Sequence, residues 1–145
     1  MIFNGIDFPN EIIDAIREDR LVVFAGAGAS MGKPTCLPNF ESLTDEIVID
    51  TGKEMNRKES CEVFLGSLKA DYGVDVNQQA ADIILRSCND YNELHKAIIN
   101  LFVSPEKVRV ITTNYDKMFE KVLESESIQV PIYNAPALPM GDDVR

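Results

Sequence analysis

Two short clusters in this chain carry groups that could bind a phosphorylated ligand and act on it. The first is Gly26-Ala27-Gly28-Ala29-Ser30, directly after the apolar run Leu21 to Ala25. Without side chains at 26 and 28 an anion can approach the main chain closely. Backbone N–H groups can then converge on a pyrophosphate, and the Ser30 hydroxyl can add to them. The second cluster is Thr112-Thr113-Asn114-Tyr115-Asp116, at the end of a second apolar run. Thr113 and Asn114 offer neutral hydrogen bonds there, and Asp116 offers a carboxylate. Both clusters sit where a strand ends, and in open α/β sheets that edge is where ligands bind. Each also has a plainer reading, as a glycine turn with Ser30 capping a helix or as Asn114 or Asp116 capping the helix that follows.

Two better-known phosphate loops are excluded by the residues themselves. A G-x-x-x-x-G-K-[ST] loop ending at Gly32-Lys33 needs a glycine at position 27, which is Ala27, and Pro34 stands where Ser or Thr should bind magnesium. The dinucleotide pattern G-x-G-x-x-G begins at Gly26 and Gly28, but its third glycine falls on Met31. The acidic residue that should end a second strand is represented by Asp45, Glu46 and Asp50, which lie in a helical stripe instead.

The formal charge of −10, from 14 basic and 24 acidic side chains, repels phosphate backbones and makes nucleic acid a poor partner for this segment. No apolar run approaches the roughly 18 residues of a membrane span. No basic-then-apolar leader opens the chain. Cys36, Cys61 and Cys88 show no C-x-x-C spacing, so neither a metal site nor a disulfide framework is expected. Buried free thiols in a reducing cytoplasm are the expectation.

The elements that must position the two clusters follow from periodicity. Residues 7–20 read as a short helix begun by Pro9 or Asn10, with Ile12, Ile13 and Ile16 on one face. Leu21 to Ala25 is continuously apolar and β-branched, as expected of a strand buried on both faces. From 40 to 103 the pattern is helical almost throughout and predicts a helical subdomain. Its stripes are Phe40, Leu43 and Ile47; Cys61, Phe64, Leu65 and Leu68; Val76, Ala80, Ile83 and Ile84; and Leu94, Ala97, Ile98, Leu101 and Phe102. Val108 to Thr112 predicts a second strand, Met118, Phe119, Val122 and Leu123 the next helix, and residues 128–134 a third strand weakened by Pro131. Strands separated by helices pair in parallel through crossovers, so the expected class is α/β.

The paired clusters resemble the NAD-binding domain of the sirtuin superfamily over almost the whole chain. Gly26 to Ser30 matches that family's G-A-G-x-S loop, and Thr112 to Asp116 its T-x-N-x-D strand end. Leu37 to Glu41, "LPNFE", falls where members carry an I-P-x-F-R-like segment. The resemblance implies a Rossmann-like parallel sheet with a helical insertion between its first two strands, residues 1–145 being the N-terminal portion of the domain. It implies that Gly26, Ala27 and Gly28 bind the phosphates of NAD and that Ser30 supports the adjoining ribose. Phe40 would lie near the nicotinamide riboside, Thr113 and Asn114 would face the ribose and reacting carbon, and Asp116 would read the nicotinamide carboxamide. Asn114 is the catalytic candidate, orienting water or a ribose hydroxyl beside an oxocarbenium-like centre.

Glu41 in place of arginine, and Thr113 in place of the more usual glutamine, look more like bacterial sirtuin-like NAD hydrolases of antiphage defence than like protein deacylases. The family's general base is a histidine downstream of the second motif. The single histidine here, His95, lies upstream in a helix and reads as a packing or surface residue. The expectation is therefore part of a longer protein, with further domains or an oligomer, that cleaves the nicotinamide–ribose bond in the cytoplasm. Alternatives are a deacylase, and a non-catalytic sensor of NAD or an ADP-ribose-type ligand.

Overall fold

Valine-rich runs ending in small and polar residues form the centre of the molecule. In the computed structural model, which describes residues 2–3, 5–55, 59–87 and 90–133, strand β3 (Val23–Ala25) pairs in parallel with β4 (Val110–Thr112), Phe24 opposite Ile111. Ahead of them, β1 (Ile2–Phe3) and β2 (Ile6–Asp7) form a small antiparallel pair, with Gly5 at φ 78° between them. Only glycine adopts that angle freely, and the Asn-Gly dipeptide is a hairpin signal. Helix α1 (Asn10–Arg17) begins after Pro9 and leads into β3. The class is mixed α/β, Rossmann-like, with helices inserted between the two parallel strands.

The insertion is built from helices whose ends are written in the sequence. In α2 (Phe40–Thr51) the Asn39 side chain accepts the Ser42 N–H at 2.8 Å, and Gly52 closes the helix at φ 64°. In α3 (Cys61–Tyr72) Ser60 caps the start and Gly73, at φ 65°, the end. Before α4 (Val76–Ser87), Asp75 accepts the Gln78 N–H at 3.1 Å. These are side-chain caps and left-handed glycine stops in their usual places. The three helices share one apolar core of Leu43, Ile47, Phe64, Leu68 and Ile83.

A second core lies under the sheet. Helices α5 (Glu93–Ile99) and α6 (Met118–Ser125) pack Ile99, Phe119, Val122 and Leu123 against Ala25 and Ala29. Leu37 and Met118, with Ile84 and Tyr91 against them, bridge the two cores. The predicted face of α6 is buried in full.

Four expectations change. Among the described residues the sheet is covered on one face only: Val22, Phe24 and Ile111 are 53%, 69% and 51% exposed, because α5 and α6 both lie on the side of Ala25 and Val110. Residues 128–133 form no strand; Ile128 and Val130 instead lean on the second core, and Asn134 lies outside the described residues. The stripe Leu94, Ala97, Ile98, Leu101 and Phe102 does not face inward as a whole either: Ile98 leans on the second core, but Leu94, Ala97 and Leu101 do not. The α5 helix stops at Ile99, Leu94 and Leu101 are exposed, and the fully covered positions are His95 and Ile99. A polar residue holds the inner face because both its ring nitrogens find partners, as the next section describes. Finally, Cys36 is exposed and Cys61 half-buried; Cys88 lies outside the described residues.

Candidate functional site

The parallel register brings both sequence clusters to the same end of the sheet. Ala25 ends β3 and Thr112 ends β4, and the Thr113 N–H donates to the Ala25 carbonyl at 3.3 Å. Beyond β3 the chain turns through one short 3-10 helix, Ala27–Ser30. Its first N–H groups have no partner within the turn itself. Gly26, Ala27 and Gly28 are exposed, whereas Ala29 and Ser30 point inward.

Between the two loops and the first helix of the insertion lies a cavity of about 200 Å³. One wall is polar and comes from Ser30, Thr113, Asn114 and Asp116. The other is apolar and comes from Leu37, Pro38, Phe40, Leu43 and Ile84. Ala27 lies at the glycine-turn edge and Tyr115, 87% exposed, at the rim. Of the residues singled out in the sequence, Ala27, Ser30, Phe40, Thr113, Asn114 and Asp116 therefore meet at one pocket; Gly26 and Gly28 flank Ala27 in the turn beside it.

Within the polar wall Asn114 and Asp116 form one hydrogen-bonded unit centred on Ser30, which is 1% exposed. Its hydroxyl donates to Asp116 Oδ2 at 2.8 Å and accepts from Asn114 Nδ2 at 3.2 Å. His95 Nε2 lies 3.1 Å from the same oxygen. The other ring nitrogen, Nδ1, accepts the Asn92 backbone N–H at 3.3 Å, so the neutral ring carries its proton on Nε2 and donates it to Ser30. Ser30 thus gives its one proton and fills both lone pairs. Asp116 uses its second oxygen, Oδ1, to accept the Met118 N–H at 3.0 Å at the start of α6. The two readings left open for these residues converge: Asp116 holds a helix start and lines the pocket as well. Asn114 is anchored by its backbone N–H to Thr112 Oγ1 at 3.1 Å, while its Oδ1 is buried and has no partner among the described residues.

His95 was expected to be a packing or surface residue. It is fully buried and packs edge-on against Phe119, with ring centroids 4.9 Å apart, yet it also touches the hub of the site through Ser30. Burial pushes the imidazole below its ordinary pKa of 6.5, and the charge of Asp116 pulls partly the other way. A neutral ring is what the hydrogen bonds require, because a second ring proton would face the Asn92 N–H. Asn92, 5% exposed, went unremarked in the sequence. The only signal it gives there is Asn-x-x-His at a helix start, a capping box with histidine in the place of the usual Glu or Gln. In the apolar wall Phe40 and the Leu37–Glu41 segment are the part the resemblance assigns to the ligand, whereas Leu43 and Ile84 were legible only as core stripe, since they belong to the helical pattern and to the pocket together.

No family model matches the chain, and no solved structure does. Two curated proteins are similar to it. The "NAD(+) hydrolase ThsA" of Bacillus cereus (strain MSX-D12) is 31% identical over 123 residues, covering 83% of this chain and 24% of that protein. The "Uncharacterized protein y4cA" of Sinorhizobium fredii (strain NBRC 101917 / NGR234) is 30% identical over 131 residues, covering 82% of this chain and 10% of that protein. The chain thus spans about a quarter of the first relative and a tenth of the second. Among the described residues no helix is long and apolar enough to cross a membrane.

Proposed function

We propose that this chain binds NAD and forms the nucleotide-binding part of a sirtuin-like NAD+ glycohydrolase. The observation that carries the reading is the convergence of the glycine turn and the Asn114 loop on one pocket, where Asn114 Oδ1 is a buried acceptor with no partner among the described residues. A buried acceptor left alone costs about 1–3 kcal/mol, and a ligand hydroxyl or water donating to it removes that cost. A Cβ built at Gly26 or Gly28 meets no atom within 4 Å, and neither residue has a positive φ. Nothing in the fold demands glycine at either position, whereas a pyrophosphate lying against the exposed turn does.

The pocket's volume suits one end of such a ligand. About 200 Å³ is below the roughly 300–1,000 Å³ of sites that enclose a drug-sized molecule. The nicotinamide and its ribose fit the division into an apolar wall and a polar wall, with the phosphates extending over residues 26–28. In the reaction the bond from ribose C1′ to the nicotinamide nitrogen breaks, and its electron pair neutralises the positive ring. Water adds to C1′ and releases one proton. Asn114 orients that water or a ribose hydroxyl through Oδ1, held in place because its Nδ2 is committed to Ser30. Asp116 adds negative charge beside a centre that becomes cationic.

Glu41 and the Thr112–Asp116 sequence support the branch of the resemblance that hydrolyses NAD in antiphage defence, in the cytoplasm, over protein deacylation. Calorimetric titration of the chain with NAD and ADP-ribose tests the binding. Gly26→Val should abolish the heat while leaving the melting temperature unchanged, since its side chain meets open space. Absence of binding by the folded wild type, or equal binding by Gly26→Val, overturns the reading. Nicotinamide release that disappears in Asn114→Ala checks the hydrolytic step.

A further inference from the structure

We propose that Asn92 and His95, on the first turn of α5, are the positioning residues of the pocket. Together they hold the glycine turn and the Thr112–Asp116 loop in the arrangement that presents Asn114. For its effect on ligand the inference rests on the NAD reading; for its effect on the loops it does not.

Neither residue lines the cavity, so neither can act on a ligand directly. Their side-chain bonds run to the loop that follows β3, to each other and to the first turn of α5. Asn92 Nδ2 donates to the carbonyls of Ala29 at 2.8 Å and Gly32 at 3.3 Å, and its Oδ1 accepts the N–H groups of Leu94 at 3.0 Å and His95 at 3.2 Å. Two donors and two lone pairs are all filled, which no carboxylate or hydroxyl at this position could reproduce. Holding the Ala29 carbonyl fixes the rigid plane of the Ala29–Ser30 peptide. The Gly32 carbonyl also accepts the Cys36 N–H at 3.0 Å, and Leu37 N–H bonds the Ser30 carbonyl at 2.9 Å. The apolar wall at Leu37 therefore hangs from the same clamp as the glycine turn.

His95 extends the clamp to the second loop. Its Nε2 proton occupies one lone pair of Ser30 and leaves the other for Asn114 Nδ2, while the Ser30 proton goes to Asp116. Ser30 alone could rotate its hydroxyl among several partners. With the histidine donor fixed from behind by the Asn92 N–H, only one assignment satisfies Ser30, His95 and Asp116 together, and it leaves Asn114 Oδ1 without a partner among the described residues. A buried network satisfied in one way only is rigid.

The test is nitrogen–proton correlation NMR on the 145-residue chain, with hydrogen exchange, beside NAD titration of the same samples. His95→Phe keeps the ring and its contact with Phe119 but removes both nitrogens; Asn92→Ala removes the four side-chain bonds; His95→Gln restores a donor and an acceptor. Ile83→Val, in the other core, lowers stability without touching these bonds. The amides of residues 26–30 and the Asn114 side-chain amide should shift and exchange at least tenfold faster in His95→Phe and Asn92→Ala, and recover in part in His95→Gln. NAD affinity should fall at least tenfold in the first two and stay unchanged in Ile83→Val. Unchanged loop resonances in both variants overturn the proposal whatever the ligand does. Moved resonances with unchanged NAD affinity overturn it as well. Moved resonances in a chain whose wild type binds no NAD uphold the positioning of the loops and end the NAD reading instead.

Discussion

The two cores of this molecule are built on opposite principles. The core shared by α2, α3 and α4 is almost entirely hydrocarbon, with Ile47, Leu68 and Ile83 fully buried. The core under β3 and β4 is apolar at Phe119 and Val122, but its upper edge buries Ser30, Asn92 and His95. The first gains stability in proportion to area, tolerates sliding and specifies little about any one atom. The second must satisfy each polar group in turn and so fixes individual atoms. The pocket lies between them and takes one wall from each. Its apolar side is a by-product of helix packing, whereas its polar side has a single arrangement.

Substitutions that tell the two principles apart should differ in what they move. The largest loss of stability is expected from Leu68→Ala, about 2–5 kcal/mol for a truncation at a fully buried site. Chemical denaturation measures it, and the exchange of Ser30 and Asn114 in the surviving folded fraction should be unaltered. If the pocket loops loosen in step, the two cores are one unit and the contrast fails. Asn92→Ala should cost less, about 2–3 kcal/mol from a lost cap and unpaired buried groups. Unlike the first, it should disturb the loops.

Mild acidification reaches the polar core through His95, the single histidine of the chain. The folded imidazole of His95 titrates below its ordinary value of 6.5, and the unfolded one near it. The native state therefore holds fewer protons in that interval. The contribution is complete above the unfolded value and is lost as pH falls from about 6.5 through the lower folded value. A melting series from pH 7.5 to 5 should show this slope in the wild type, and His95→Phe should flatten it. An equal slope in both places the titration elsewhere.

The smallest effect separates glycines that look alike. A Cβ at Gly66, within α3, meets nothing within 4 Å, as at Gly26 and Gly28. Gly66→Ala should stabilise the chain by about 0.5–1 kcal/mol through helix propensity, with no change in NAD binding. A loss of binding there would mean that the helical layer touches ligand.

Much of the fold was legible because its signals are local. The stripes Phe40–Leu43–Ile47 and Met118–Phe119–Val122–Leu123 depend only on residues within a turn or two of one another. Where the reading failed, a distant partner had decided. The α5 stripe pointed to Leu94 and Leu101, but the inner position went to His95, whose polarity is acceptable only because Ser30, 65 residues away, accepts its proton. Of the strand expected at 128–134, residues 128–133 pair with no neighbouring strand among the described residues, and Ile128 and Val130 lie against the second core instead. Two-sided burial of β3 was inferred from an apolar run, yet Phe24 lies bare because both packed helices chose the other face.

By itself the sequence determined which stretches are helical, that two β-branched runs are separated by helices, and that glycine-rich and Thr-Asn-Asp clusters follow those runs. These properties belong to neighbours along the chain, whose propensities and caps act within a few residues. Only the tertiary structure decided that both clusters meet at one end of a parallel pair, that Ser30 joins them, and that Asn92 and His95 stand behind it. A buried polar group survives only if partners far along the chain arrive at hydrogen-bond distance, and no local pattern records whether they do.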